Sequence, residues 1–411
     1  MRFDPATRVQ EFLAFGEFGD VNPSITDSST YTFLSPEKME QLFEHDIEGC
    51  FLYSRHWNPT NKVLADALAR MEDGPAAQVL SSGMAAIGTT LLELCSAGDE
   101  IVSGRTIYGG TWALLKNLLP RFGITTRFVD IQNEAAVRAA IHGRTRVLYC
   151  ESMSNPLLEV SDLPMLAAIA REKGLRLVVD NTFSPMILSP LRLGADVVVH
   201  SMTKFINGTS DCVAGCVVSS REFIDRLNDI HSGPSMLLGP VLDSHRAASI
   251  LKNLHSLHIR MRQHGANALA LARRLVRLGV RVHYPGLEGH PQHALMERVM
   301  NPGYGYGGML TVDVRDGAVA NRLMTRMQEE KVGYLAVSLG YFKTLFSAPG
   351  HSTSSEIPPE EQQRMGLGAG LIRFSVGIDN DPVLMGDRIE RCLAEVGVIG
   401  ARHPEPVGSA A

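Results

Sequence analysis

The sequence predicts an α/β protein with a mostly parallel sheet flanked by helices, followed by a smaller C-terminal α+β region. Three observations carry this. From about residue 62 onward, short β-branched runs alternate with Leu- and Ala-rich stretches of helical length, the pattern of strands linked by crossover helices. The runs Leu177-Val178-Val179-Asp180 and Val197-Val198-Val199-His200 are apolar at consecutive positions, as expected of strands covered on both faces. Between Ser232-Gly233-Pro234 and Gly239-Pro240 the alternation stops, which marks the end of the sheet region. With 411 residues and 45% hydrophobic content, the chain can bury more than one core.

The elements follow in order. Residues 1–60 are interrupted by Pro23, Pro36 and Pro59 and are expected to form an irregular arm contacting a neighbouring subunit. Residues 61–240 form the large domain, opening with a helix over Lys62–Met71 and a strand over Gln78–Leu80. Further strands are expected at Glu100–Ser103, Arg146–Cys150, Leu175–Asp180 and Asp196–His200, with helices at Glu134–Ile141 and Leu163–Lys173. Residues 241–411 form the small domain. It begins with one long connecting helix, Val241–Leu278, and contains strands at Met309–Val314 and Leu371–Val376.

Composition narrows the function. A net charge of −5 without a basic run argues against a nucleic-acid partner. No apolar stretch has the length of a membrane span, and Met1-Arg2-Phe3-Asp4-Pro5 lacks the apolar run of a signal peptide, so a cytoplasmic protein is expected. Six scattered cysteines (Cys50, Cys95, Cys150, Cys212, Cys216 and Cys392) suit a reducing compartment. Cys212 and Cys216 are spaced too widely for a Cys-x-x-Cys pair, and no metal site is expected.

The chemistry concentrates after the strand ending at His200. Lys204 follows Ser201 and Thr203, and Asp180 closes the preceding strand. A lysine there, if desolvated, can form a Schiff base with a pyridoxal aldehyde. The hydroxyls of Ser201 and Thr203 suit the cofactor phosphate, and Asp180 suits the pyridinium nitrogen. The bland alternative is a surface lysine after one strand and a capping aspartate after another. Ser82-Gly83-Met84 opens a helix whose N–H groups suit a phosphate. Tyr108-Gly109-Gly110 can place a ring over a pyridine, and Asn155-Pro156 follows a strand at its carboxyl end. Arg373 is a charge within an apolar strand and calls for a carboxylate, either a substrate's or that of Asp379 or Glu390. Tyr53 and Arg55 lie in the arm, where they make sense if they reach another subunit's phosphate. His255, His258 and His264 share a helix with Arg260 and Arg262 and read as one solvated face, and His290 and His293 as loop residues.

Together the motifs Tyr53–Thr60, Ser82–Ile87, Tyr108–Thr111, Asp180–Thr182, His200–Lys204 and Arg373–Gly377 resemble the Cys/Met-metabolism family of pyridoxal-phosphate enzymes, over about Glu17 to Val396. Wording such as Tyr284-Pro285-Gly286-Leu287-Glu288, His290-Pro291-Gln292-His293, Tyr304-Gly305-Tyr306-Gly307-Gly308 and Ser352-Thr353-Ser354-Ser355-Glu356 is most similar to the plant-type methionine γ-lyases. The resemblance implies the aspartate-aminotransferase-like fold (fold type I) and pyridoxal 5'-phosphate as cofactor. It implies that Lys204 carries the cofactor and moves protons, that Asp180 pairs with the ring nitrogen, and that Tyr108 stacks on the ring and assists departure of the γ-group. Gly83, Met84, Ser201 and Thr203 would hold the phosphate, with Tyr53 and Arg55 from a neighbouring subunit. Asn155 would lie beside cofactor and substrate, and Arg373, Ser338, Tyr53 and Asn155 would bind the substrate. It also implies a homotetramer with active sites shared within dimers.

The expected reaction is γ-elimination from an L-amino acid, with L-methionine yielding 2-oxobutanoate, ammonia and methanethiol. Alternatives are L-canavanine cleaved to homoserine and hydroxyguanidine, and γ-replacement as in cystathionine γ-synthase or the O-acylhomoserine sulfhydrylases. A non-catalytic scaffold is the remaining alternative. Gly110 stands where bacterial methionine γ-lyases place a cysteine. Lys343, in the segment Ser338–Lys343, stands where cystathionine-handling relatives commonly carry a glutamate, and in the pocket it would repel a distal ammonium. Glu44, Asp46 and Glu48 would attract a guanidinium if they faced the pocket mouth.

Overall fold

Seven strands fall between residues 76 and 219: β1 (Ala76–Leu80), β2 (Glu100–Gly104), β3 (Thr125–Val129), β4 (Thr145–Glu151), β5 (Arg176–Asp180), β6 (Val197–Ser201) and β7 (Gly215–Ser219). The computed structural model describes residues 3–33, 35–44, 47, 49–351, 356–378 and 381–400. Met1, Arg2, Asp46, Glu48, Asp379, the run Ser352–Ser355 and the tail beyond Gly400 lie outside the described residues. The strands form one sheet in the order β1-β7-β6-β5-β4-β2-β3. Pairings from β6 across to β3 are parallel, and only β7 runs antiparallel to its neighbours.

Alternate residues of the central strands enter two separate cores, one on each face. Leu148, Val179 and Val198 pack with Leu64 and Leu68 of the helix Pro59–Met71 and with Leu166 and Ile169 of the helix Leu163–Lys173. Tyr149, Val178, Val197 and Val199 pack on the other side with Ile87 and Leu91 of the helix Gly83–Leu94 and with Phe223 and Ile224 of the helix Arg221–Asn228. This is why the strands are apolar at every position rather than at every second one. The crossover helices start and stop on local signals. Asp162 accepts from the Met165 N–H at 3.1 Å, and Gly174 ends that helix in the left-handed region at φ 67°, where glycine has no Cβ to clash.

The second sheet contains β8 (Arg281–His283), β9 (Met309–Asp313), β10 (Tyr334–Leu335), β11 (Leu345–Ser347) and β12 (Leu371–Ser375), ordered β10-β11-β12-β9-β8. Its apolar residues, among them Leu310, Phe346, Ile372 and Phe374, pack with the helices Leu257–Arg277, Gly317–Glu329 and Pro382–Glu395.

Three details differ from the sequence expectation. The single helix Val241–Leu278 is two helices, Ser244–Leu254 and Leu257–Arg277. The Asn253 carbonyl, which a continuous helix would offer to the Leu257 N–H, instead accepts the Ser256 N–H at 3.2 Å, the Ser256 hydroxyl at 3.0 Å and Arg260 Nη2 at 2.9 Å. Side-chain donors thus outcompete the helical bond. The histidines and arginines of the second helix are not one solvated face. His264 is fully buried and its Nδ1 lies 2.6 Å from the Val376 carbonyl oxygen. Finally, residues 1–60 include the helices Pro5–Gln10 and Pro36–Glu44. The first is capped by Asp4 and sinks Ala6 and Val9 into the core, and it is too short to leave a periodic signal in sequence.

Candidate active site

Parallel pairing aligns the carboxyl ends of β4, β5 and β6, and a cavity of about 260 Å³ opens there, at the edge where open α/β sheets hold ligands. Nine of the residues singled out in sequence line it: Gly83, Met84, Tyr108, Asn155, Asp180, Ser201, Thr203, Lys204 and Arg373.

Lys204 sits in the turn after β6, with its N–H on the Ser201 carbonyl at 3.3 Å and its carbonyl taking the Gly208 N–H at 2.8 Å. Arg260 clamps the next two residues by donating to the carbonyls of Phe205 and Ile206. Gly340 approaches so closely, at φ 78°, that a Cβ there would lie 2.4 Å from the Phe205 nitrogen. Glycine is therefore required for the Val337–Gly340 segment to reach the lysine. The Lys204 ammonium donates to the Ser338 hydroxyl at 3.2 Å. Burial, and secondarily the Arg373 cation, lower its pKa to about 8. An amine so shifted has a substantial neutral, nucleophilic fraction near neutral pH.

Asp180 is buried at the end of β5, and burial raises its pKa despite the Thr182 N–H donated to Oδ1 at 2.9 Å. Beside it in register lies Glu151, at the end of β4. Burial first, and then the Asp180 charge, push Glu151 well above the usual carboxylate range. Its oxygens accept the N–H groups of Tyr108 at 2.7 Å and Asn155 at 2.8 Å. Burial likewise lowers the Arg373 guanidinium to about 10. Arg373 donates to Asn155 Oδ1 at 2.9 Å and to the Ser338 carbonyl at 3.4 Å. Glu390, its candidate partner from sequence, instead binds Arg274 at 2.6 Å.

The helix Gly83–Leu94 presents its first turn to the cavity, capped by Ser82 Oγ on the Ala85 N–H at 3.0 Å. A Cβ on Gly83 would lie 2.6 Å from Ser201 Cβ, so only glycine lets helix and strand end meet. Backbone N–H groups of a helix start beside two hydroxyls suit a phosphate. The Thr203 hydroxyl also takes the Ala214 N–H at 3.0 Å. Phosphate donors at a helix start and in the turn of the lysine, with an amine, a carboxylate and a flat aromatic lining the same cavity, fit pyridoxal phosphate.

Tyr108 forms part of the wall, and burial raises its pKa. Its ring folds over Gly110, where a Cβ would stand 2.5 Å from ring carbon Cε1. A cysteine at residue 110 is incompatible with the ring in this position. Tyr53 and Arg55 do not reach the cavity of their own chain: Tyr53 is exposed, and Arg55 donates to the Met236 carbonyl at 3.0 Å. Lys343 does not line the cavity either, and its ammonium lies 5.9 Å from the Tyr334 ring centroid. Glu44 borders a different cavity, beside Arg8 and Arg70.

Sequence reasoning passed over Glu151, named Thr182 only as the end of a motif and read Arg260 as part of a solvated helix face; Glu151 and Thr182 also line the cavity. Thr182 Oγ1 accepts the Ser201 N–H at 2.8 Å and so ties the ends of β5 and β6. A glutamate closing an otherwise apolar strand four residues before Asn155 was the available signal for Glu151.

Fold and cavity together define a pyridoxal-phosphate enzyme of fold type I. Residues 10–392 match the family described as Cys/Met metabolism PLP-dependent enzyme, and the chain belongs to it. It is 46% identical to a methionine gamma-lyase of Arabidopsis thaliana, over 91% of this chain and 86% of that protein. It is 36% identical to an O-succinylhomoserine sulfhydrylase of Pseudomonas aeruginosa, over 90% of each. A Campylobacter jejuni structure described as an O-acetylhomoserine (thiol)-lyase, containing N'-pyridoxyl-lysine-5'-monophosphate, superposes with a TM-score of 0.87 at 26% identity, covering 95% of this chain and all of that one.

Depression of the Lys204 pKa to about 8 gives a pH prediction. In cofactor-free protein, acylation of Lys204 followed by peptide mass should rise through about pH 8, because the neutral amine reacts and burial disfavours the charged form. Surface lysines should rise about two units later, as an ordinary lysine titrates near ~10.4. A Lys204 midpoint near that of the surface lysines contradicts the assignment.

Proposed function

We propose that the protein is a γ-lyase that eliminates the γ-substituent of L-methionine, giving 2-oxobutanoate, ammonia and methanethiol. The observation that carries this reading is one cavity holding a half-buried lysine, a buried aspartate and a buried arginine, in a chain similar to a methionine gamma-lyase.

When bound, the cofactor supplies an electron sink for negative charge developing on the substrate's carbon chain. Lys204 Nζ would be its point of attachment and would carry protons between the substrate carbons. The Asp180 carboxylate holds the proton on the ring nitrogen. N–H groups of Gly83 and Met84 and hydroxyls of Ser201 and Thr203 hold the phosphate, joined by Tyr53 and Arg55 of a neighbouring copy. The guanidinium of Arg373, with Asn155, Ser338 and the neighbouring copy's Tyr53 beside it, binds the substrate carboxylate. Tyr108 stacks on the ring, and its hydroxyl serves the departing γ-group.

Substrate choice rests on the cavity walls. Met153, Phe183, Val213, Val337 and Leu339 line it, an apolar surface suited to a thioether methyl. Among the described residues the acids that line it are Glu151 and Asp180, each already accepting a backbone N–H, so a guanidinium entering from canavanine would compete with those bonds for its counter-charge. Canavanine is therefore the second reading. Lys343 points elsewhere and carries no argument about cystathionine. Replacement chemistry is supported by the likeness to a sulfhydrylase and shares the same groups.

The exposed arm supports a homotetramer with sites shared within dimers, since Tyr53 and Arg55 lie away from their own cavity. A cytoplasmic location is supported by six unpaired cysteines. No helix among the described residues is long and apolar enough to cross a membrane.

Two measurements follow. Comparing kcat/KM for methionine and canavanine at one pH should favour methionine, and a preference for canavanine above about tenfold (~1.4 kcal/mol) reverses the ordering. Mixing inactive Arg55→Ala with inactive Lys204→Ala protein should restore activity, because a mixed dimer then contains one intact site. No recovery despite demonstrated subunit exchange contradicts the shared site.

A further inference from the structure

We propose that Glu151 is a positioning residue whose one carboxylate sets both the Tyr108 ring and the Asn155–Arg373 carboxylate clamp. The proposal rests on the reading of Tyr108 and Arg373 given above and adds the group that couples them.

The argument begins with burial. Glu151 is 6% exposed and lies beside a second buried carboxylate, Asp180. Placing two acids together away from water is unfavourable unless each is hydrogen-bonded. Glu151 meets that requirement with main-chain donors from two different loops. One oxygen takes the Tyr108 N–H at 2.7 Å, in the loop after β2, and the other takes the Asn155 N–H at 2.8 Å, in the loop after β4. Both loops have left the sheet, and the carboxylate satisfies N–H groups that ladder bonds no longer serve. Two bonds of this length to one carboxyl group hold both loops to it in fixed geometry.

Each loop carries a different function. The first sets where the Tyr108 ring leaves the backbone. The second sets Asn155, whose Oδ1 receives Arg373 Nη1 at 2.9 Å. The same loop is fastened to the second sheet, because the Thr311 hydroxyl donates to the Pro156 carbonyl at 2.8 Å and Thr311 pairs in register with Arg373. A displacement of the Glu151 carboxylate therefore moves the aromatic wall and the arginine clamp together.

Glutamine has the same shape but only one side-chain oxygen, so Glu151→Gln can accept from one loop and must face the other N–H with its own NH₂ group. Aspartate keeps both oxygens and the charge but is one methylene shorter. The test uses holoenzyme of wild type, Glu151→Gln, Glu151→Asp, Tyr108→Phe and Tyr108→Phe/Glu151→Gln. Measured are cofactor absorbance, thermal midpoint, kcat and KM for γ-elimination, and Kd for L-norleucine, which has the carboxylate but no γ-leaving group. Glu151→Gln is expected to retain cofactor and thermal midpoint while kcat falls and both KM and norleucine Kd rise, each about tenfold. Glu151→Asp is expected to fall between it and wild type. In the Tyr108→Phe background, the loss of kcat from Glu151→Gln should largely disappear, because both changes act on kcat through the Tyr108 hydroxyl.

A Glu151→Gln enzyme within twofold of wild type in kcat and norleucine affinity overturns the proposal. So does one that only sheds cofactor or stability while each cofactor-loaded site turns over normally, or a double variant whose losses simply multiply. If Glu151→Gln does not fold, Glu151→Asp decides: unchanged kcat and norleucine affinity refute the coupling. A wild-type enzyme that binds norleucine but performs no γ-elimination would instead refute the proposed reaction and leave the norleucine comparison valid.

Discussion

The cavity depends on the in-register parallel pairing of β4, β5 and β6. Glu151 stands opposite Asp180, and Asp180 opposite Val199, so three strand ends deliver an acid, a second acid and the Ser201–Lys204 turn to one edge. Side chains alternate between the faces of a sheet, and a slip of one residue would send Asp180 into the opposite core. Leu177 and Val179 fill one core and Val178 the other, so close packing of each core, rather than an apolar–polar pattern, holds the register. Thr182 adds a local lock by joining the ends of β5 and β6.

This arrangement gathers charges that would be unfavourable singly. Two carboxylates shifted upward, and a lysine and an arginine shifted downward, share one cavity. Attraction between Glu151 and Arg373 in this poorly solvated site offsets part of that cost, while burial and the Arg373 cation leave the lysine easily deprotonated. The backbone around Lys204 is held from behind by Arg260, itself half-buried and lowered to about 10 by desolvation, and from the side by Gly340. The second sheet thus completes the site rather than merely adjoining it, since β12 brings Arg373 and the segment before β11 brings Ser338.

What the sequence made legible follows from which signals are local. Strands buried on both faces announce themselves through consecutive apolar residues, and Lys204, Asp180 and Gly83 occupy places defined by the ends of those elements. Glu151 was hidden because its partners are main-chain N–H groups, one of them 43 residues away in the loop after β2. The break at His255–Ser256 was hidden because it depends on Arg260 and Ser256 competing for one carbonyl. His264 looked solvated because a helical residue's exposure depends on what covers that face, here the strand end at Val376. Lys343 was read as a possible pocket residue from its neighbourhood in sequence, but the chain turns its ammonium toward Tyr334.

The central claim is that Lys204 is the amine on which the cofactor and the chemistry depend. The direct measurement is the absorbance spectrum and turnover of purified Lys204→Ala beside wild type at equal folded concentration. The account predicts that the variant loses both the cofactor's lysine-linked absorbance band and γ-elimination, because no other lysine lines the cavity. A variant that keeps the wild-type band, or retains substantial γ-elimination, would contradict it.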